Sequence, residues 1–168
     1  MKIKGTLCGT VSAMCWLAPL AAAEAQIELG RDASYFCVEE FSGGLRYNEN
    51  LKKWGAASFR ADGKFVLKLK FIRSRESHDF FGERAEYEVS ITEAGTSGPT
   101  PCVKFYGDRT VTIYQRPSTL GCEALGSSYR FGFESNRFLK AYLEGYWNGS
   151  NNNDNTPNVA GGTCTKID

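Results

Sequence analysis

The chain has 168 residues, of which 42% are hydrophobic and 23% are charged, a balance typical of a folded domain. This composition does not fit a disordered, collagen-like or coiled-coil protein. Eighteen glycines, six cysteines and 11 phenylalanines, against a single histidine, favour a β-rich protein that folds in an oxidising compartment.

Residues 1–25 have the features of a secretory signal peptide. Two lysines precede an uncharged, mostly apolar run over 6–20, which is shorter than the roughly 20 residues that span a bilayer. The small residues that follow predict cleavage after Ala25, with Ala23 as the alternative site. We therefore expect a periplasmic or secreted protein in which residues 26–168 form a single β-rich domain without a membrane span.

The charge balance argues against one large class of partner. Residues 1–25 contain two of the 20 basic and one of the 19 acidic side chains, so equal numbers remain after cleavage. A neutral chain lacks the positive charge that provides most of the affinity for nucleic acid, and no nucleic-acid partner is predicted. The basic stretch of Lys68, Lys70, Arg73 and Arg75 is interpreted as the solvated face of a strand.

Four cysteines lie beyond the predicted signal peptide: Cys37, Cys102, Cys122 and Cys164. No two of them form a Cys-x-x-Cys pair, so a zinc site or a redox motif is not predicted. An even number in an exported chain indicates two disulfides, which can be connected in three ways. We favour the nested pairing, in which Cys102 bonds Cys122 inside a Cys37–Cys164 bond that ties the first strand to the last.

Short strand-like runs, separated by Gly, Asn, Ser and Pro, predict an all-β fold. The predicted strands are 35–41, 45–47, 53–59, 64–72, 86–92, 102–106, 110–115, 129–133 and 158–167, with a possible bulge at Gly43 and Gly44. Residues 137–147 suit either a helix or a strand, and the aromatic density favours a strand. The expected architecture is an antiparallel up-and-down sheet of about eight strands, closed into a small barrel or folded into a sandwich and stapled by disulfides.

Alternation places strands 64–72 and 86–92 in a specific register. Opposite charges pair if Lys70 faces Glu86 and Lys68 faces Glu88. The same register places Leu69 opposite Tyr87, Leu67 opposite Val89 and Phe65 opposite Ile91 on the buried side.

Four segments resemble those of small exported proteins of alphaproteobacteria to which no activity is assigned. The segments are GLRYNENLKKW, KFVLKLKF, RFLKAYLEGYW and the terminal GGTCTKI. The resemblance extends over most of the chain beyond residue 25. It implies a location in the cell envelope and brings no site residues.

Three local features of the sequence invite interpretation as catalytic or metal sites. His78 lies among acidic residues, but no serine or cysteine stands in a nucleophile motif, so an exposed loop histidine is favoured over a general base. The loop 148–158 is rich in side-chain oxygens but has one carboxylate, Asp154, which favours a turn-rich loop over a calcium site. Strand alternation sends Glu39 and Glu40 to opposite faces, which does not suit a glycosidase pair. No catalytic residue, cofactor or metal is predicted.

The sequence therefore favours a non-enzymatic binding protein. A sheet of about eight strands can enclose one small apolar ligand, and the 11 phenylalanines, eight tyrosines and two tryptophans beyond residue 25 could line its interior. The alternative is a structural or protein-interaction module of the envelope that uses a sheet edge or an aromatic patch. A hydrolase with an unrecognised site is the least favoured class.

Overall fold

The computed structural model describes residues 28–76 and 80–168, and these residues form one antiparallel sheet without helices. The predicted signal peptide and His78 lie outside the described residues. Ten strands make up the sheet: β1 (Ala33–Asn48), β2 (Lys53–Ser58), β3 (Lys64–Arg75), β4 (Arg84–Glu93), β5 (Thr100–Cys102), β6 (Thr110–Tyr114), β7 (Thr119–Ala124), β8 (Ser127–Gly132), β9 (Arg137–Tyr142) and β10 (Asn158–Lys166).

The ten strands occupy eight positions in an up-and-down order. β2 and β3 lie end to end along β1, where Gly43 pairs with Ser58 and Val38 pairs with Lys64. β5 and β6 share one edge of β4 in the same way, and β7, β8, β9 and β10 then follow as successive antiparallel neighbours. β10 returns beside β1, so the all-β antiparallel prediction is confirmed.

The sheet curls until its two edges meet, but the ladder does not close. Between β5 and β7 there is one isolated bridge, from Val103 to Glu123, and the Cys102–Cys122 disulfide. We call this place the seam. The expected barrel is therefore an open, curled sheet that is fastened at the seam.

Side chains from opposite parts of the curled sheet fill its interior. The ring of Phe65 on β3 lies 4.9 Å from that of Phe138 on β9, and 5.8 Å from that of Tyr129 on β8. Tyr35 packs on Phe133 with ring centroids 5.5 Å apart. Apolar burial and these edge-to-face contacts stabilise the core.

The predicted faces of β3 and β4 are correct, but the predicted register is wrong by two residues. Lys70 pairs with Glu88, and Leu67 pairs with Ile91 rather than Val89. A shift of two keeps every side chain on its own face, so alternation could not detect it. The structure fixes the register through a bulge after Phe71, beyond which Glu86 binds arginines instead of Lys70.

Several predicted strand boundaries also differ from the structure. Of the predicted run 102–106, only Cys102 belongs to one of the ten strands, Val103 makes the isolated bridge to Glu123, and residues 104–106 lie in a turn. β7 was not predicted: its buried Leu120, Cys122 and Ala124 do alternate with outward residues, but Gly121 is an unfavourable residue inside a strand and weakens the signal. The bulge in β1 lies between Glu39 and Phe41 rather than at the paired glycines. The ambiguous segment 137–147 is a strand as far as Tyr142 and turns thereafter.

Within the described part of the chain, no helix is long and apolar enough to cross a membrane. The two disulfides are compatible with an oxidising, extracytoplasmic environment.

Candidate functional site

The four predicted cysteines form the nested disulfides. Cys37 on β1 bonds Cys164 on β10, at a point where the two residues are also paired in the ladder. Cys102 on β5 bonds Cys122 on β7 across the seam. Three of the four cysteines are at most 5% exposed, and Cys164 is 8% exposed. Their role is therefore structural rather than reactive.

The sequence suggested that aromatic side chains could line a ligand cavity in the interior, and in the described part of the chain several of these rings lie against one another. The buried rings of Phe65, Tyr129, Phe131 and Phe138 contact one another across the sheet. These side chains belong to the packed core.

A half-buried polar cluster of Lys140, Glu93 and Tyr129 borders this interior. Lys140 Nζ lies 2.8 Å from Glu93 Oε1, and the hydroxyl of Tyr129 lies 3.5 Å from the same carboxylate oxygen. Burial raises the pKa of Tyr129 to about 12. Burial is the largest single effect and would lower the pKa of Lys140, but the hydrogen bond with Glu93 and the electrostatic attraction of the neighbouring acidic groups together outweigh burial and raise the pKa. Lys140 is therefore held as an ammonium ion, which has no lone pair with which to act as a nucleophile or base.

The Asn-rich loop uses its oxygens to build turns. Asn148 Oδ1 accepts a hydrogen bond from Ser150 N, and Asn152 Oδ1 accepts one from Asp154 N. Among the residues that the structure describes, no group of three or more His, Cys, Asp or Glu side chains could hold a metal ion.

A concave site with both apolar and charged lining residues lies on the outer face of the sheet. Leu120, Phe131, Phe138 and Gly162 form a row across β7, β8, β9 and β10, because each is paired with the next. The three side chains of this row point into the core, so the row presents only its backbone outward. The neighbouring rows point outward and enclose a groove of about 540 Å³ above that backbone. The volume of this groove is within the range of small-molecule sites. We call the groove the outer groove.

One wall of the outer groove is apolar. Phe41 on β1 is 55% exposed and Leu139 on β9 is 49% exposed, although both are large hydrophobic residues. Gly161 lies between them in the same row, and a Cβ atom at this position would collide with the ring of Phe41. Glycine thus lets the two side chains approach each other over β10.

Charged side chains flank this apolar wall. Arg130, in the same row as Leu139, lies flat across Gly121. Arg137 belongs to the row on the opposite side of the groove. Neither guanidinium forms an ion pair within residues 28–76 and 80–168. Glu40 also lines the groove, and its carboxylate accepts a hydrogen bond from Thr163 Oγ1 at 2.7 Å. The groove therefore offers an apolar surface, two cations without an ion pair among the described residues, and the carboxylate of Glu40 bound by Thr163.

Sequence analysis missed these residues. The alternation of Tyr129, Arg130 and Phe131 indicates that Arg130 faces solvent, but it does not reveal what lies beside it. Phe41 and Leu139 are 98 positions apart in sequence and meet only because β10 returns between their strands. No family model, curated protein or solved structure matches the chain.

Proposed function

We propose that the protein is a non-enzymatic, exported binding protein for a small apolar ligand that carries an acidic group. The apolar part of the ligand lies against Phe41 and Leu139, and its acid binds Arg137 and Arg130. The observation that carries this proposal is the pair of unpaired arginines at an apolar groove. A guanidinium group binds a carboxylate through two parallel hydrogen bonds, so it selects acids over alcohols of the same shape.

The periplasm, or the medium outside the cell, is the proposed location. The basic and apolar residues 1–25 support export, and the two disulfides are compatible with it. Hydrophobic acids are sparingly soluble in such aqueous compartments. A groove that shields one apolar face would therefore hold them in solution.

The experiment compares dodecanoate with 1-dodecanol by isothermal titration calorimetry on the purified protein. We expect dodecanoate to bind more tightly. Arg137→Gln and Arg130→Gln should each weaken dodecanoate about fivefold to tenfold and leave dodecanol unchanged, since each removes a charge-assisted hydrogen bond. Leu139→Ser should weaken both ligands because it removes apolar contact.

The matched control is Arg60→Gln, which removes an exposed arginine that pairs with Asp62 outside the groove. It should leave both affinities unchanged. Equal binding of acid and alcohol, or an equal loss from Arg60→Gln, contradicts the proposed site. Native mass spectrometry of protein purified from its own host should then show whether another ligand co-purifies.

A further inference from the structure

We propose that the free edge of β2 is a docking site for an extended peptide, which adds to the sheet as one further strand. In the part of the chain that the structure describes, β2 pairs with β1 alone, while β3 continues along β1 and pairs with β4 on its other side. β4 ends at Glu93, opposite Phe65, so it does not extend alongside β2. This site is separate from the outer groove and does not depend on the proposed function.

The hydrogen-bonding groups of this edge can be identified from the ladder. Phe59 N donates to Ser42 O at 3.0 Å, so residues 53, 55 and 57 direct their backbone groups toward β1 as well. Trp54, Ala56 and Ser58 lie between them and direct their N–H and C=O groups away from the sheet. No strand within residues 28–76 or 80–168 accepts them.

The corresponding edge of β1 is protected in this region. Leu45 N donates to Pro157 O at 3.0 Å, and the Asn153 side chain bonds both the N–H and the carbonyl of Tyr47. The loop before β10 thus acts as a strand substitute on that side. Among the residues that the structure describes, no segment covers the outer edge of β2 in this way, and an uncovered edge is a template for pairing with another chain.

The edge is accessible and has room for side chains of a partner. Gly55 and Ala56 are exposed, and a Cβ atom at Gly55 would meet no atom within 4 Å. A groove of about 680 Å³ is lined by every residue of β2 and by the facing residues of the hairpin. Small side chains at the middle of an edge strand leave its backbone open to a second strand.

Side-chain contacts of Trp54 anchor the edge strand to the rest of the molecule. The ring of Trp54 lies 5.5 Å from that of Tyr47 and 5.9 Å from that of Tyr146. Its indole Nε1 donates to Asn151 Oδ1 at 3.2 Å. A strand that is already ordered loses less entropy when it binds.

The charges near β2 favour a peptide over a second copy of this chain. Two copies paired antiparallel about Ala56 would bring Lys52 of each opposite Arg60 of the other, which places like charges together. Lys53 is exposed and forms no ion pair among the described residues. The favoured occupant is therefore an extended peptide with apolar and β-branched residues and a carboxylate at the end that lies against Lys53.

The experiment uses three synthetic probes, titrated into the full chain and followed by amide NMR. The first is the capped peptide Val-Thr-Val-Thr-Val-Glu, which places its glutamate beside Lys53 when it pairs antiparallel with β2. The second has lysine in place of glutamate, and the third carries N-methyl groups on the backbone nitrogens that face the protein. The first peptide should slow amide exchange at Trp54, Ala56 and Ser58 at least tenfold, with little change at Gly55 and Ala57. The lysine peptide should bind several-fold more weakly, and the N-methylated peptide should not bind.

Ala56→Pro tests the edge from the side of the protein. It removes an N–H that points outward and leaves the hydrogen bonds to β1 intact, which is where proline is tolerated in sheets. It should weaken the first peptide at least tenfold, whereas Ala56→Val keeps the N–H and should retain binding. Because the N-methylated peptide leaves the protein unchanged, the result stands even if the proline variant folds poorly.

Three results would overturn the proposal. The first is unchanged affinity for Ala56→Pro or for the N-methylated peptide. The second is slow exchange at the amides of Trp54, Ala56 and Ser58 in the absence of peptide, together with dimerisation of the protein. That result would mean that a second copy of the chain occupies the edge. The third is the absence of binding by every probe at about 1 mM.

Discussion

Cys102 and Cys122 face each other across the seam, with their Cα atoms 5.4 Å apart. They join β5 and β7, the two strands between which the ladder is reduced to the bridge between Val103 and Glu123. The second disulfide has a different setting, because Cys37 and Cys164 lie within a continuous ladder between β1 and β10. The two bonds therefore constrain the sheet in different ways.

Replacing both Cys102 and Cys122 with serine should open the seam. The bond spans 20 residues, for which the loop-entropy model gives a loss of about 3 kcal/mol in the free energy of unfolding. Hydrogen exchange should accelerate first at the amides of β5 and β7. The matched double replacement of Cys37 and Cys164 should cost more globally, because 127 residues separate them, yet leave exchange at the seam less affected. Identical exchange patterns in the two variants would show that the seam does not depend on its disulfide.

The two faces of β3 should respond differently to truncation. Leu67 is 1% exposed, so Leu67→Ala should reduce the free energy of unfolding by about 2 to 5 kcal/mol through lost burial and a cavity. The neighbouring Lys68 is exposed, and Lys68→Ala should cost less than about 1 kcal/mol. Urea unfolding of both variants measures the difference. Equal losses would mean that the core does not lie on the side of Leu67.

The hairpin of β3 and β4 shows what the sequence can and cannot predict. Alternation identifies Phe65, Leu67 and Leu69 as the buried face, because a strand has a side-chain period of two. The same period leaves shifts of two residues undetermined. The bulge after Phe71 decides the register here, and no local sequence signal marks it.

The candidate site was beyond prediction for a related reason. The outer groove depends on which strands are neighbours, and Phe41 approaches Leu139 only across Gly161. Strand order in the sheet is a long-range property. By contrast, the nested disulfides were predictable, because the up-and-down order places the first strand beside the last.

The ionised Glu86 side chain should make the free energy of unfolding depend on pH. Arg73 Nε lies 2.6 Å from Glu86 Oε2, and Arg75 Nε lies 2.8 Å from Oε1. The hydrogen bond from Arg73, aided by both arginine charges and opposed by desolvation, lowers the pKa of Glu86 below its usual value of 4.5. A lowered folded-state pKa contributes stability above the unfolded-state pKa, and this contribution is lost as pH falls through the folded-state value.

Glu86→Gln should therefore flatten the decline of stability with falling pH below about 4.5, the usual glutamate pKa, in urea unfolding curves recorded from pH 7 to pH 2. The control is Glu88→Gln. Glu88 lies on the same strand as Glu86, and the substitution removes its exposed ion pair with Lys70 on β3. Exposed pairs of this kind contribute little, so its curve should run parallel to that of the parent. If both variants decline as steeply as the parent, the arginine pair around Glu86 does not stabilise the fold through its charge.

Two glycines should differ sharply in their tolerance of alanine. Gly162 pairs with Glu39 at the bulge of β1, and a Cβ atom there would collide with the backbone carbonyl of Val38. Backbone at a bulge cannot yield as a flexible side chain can, so Gly162→Ala should cost about 1 to 3 kcal/mol, the range seen for overpacking. Gly55 in β2 has open space around its Cβ position, so Gly55→Ala should be neutral or stabilise by up to about 1 kcal/mol by restricting the unfolded chain. Thermal and urea unfolding compare the two variants with the parent. A neutral Gly162→Ala would mean that β1 and β10 do not approach as closely at the bulge as the structure places them.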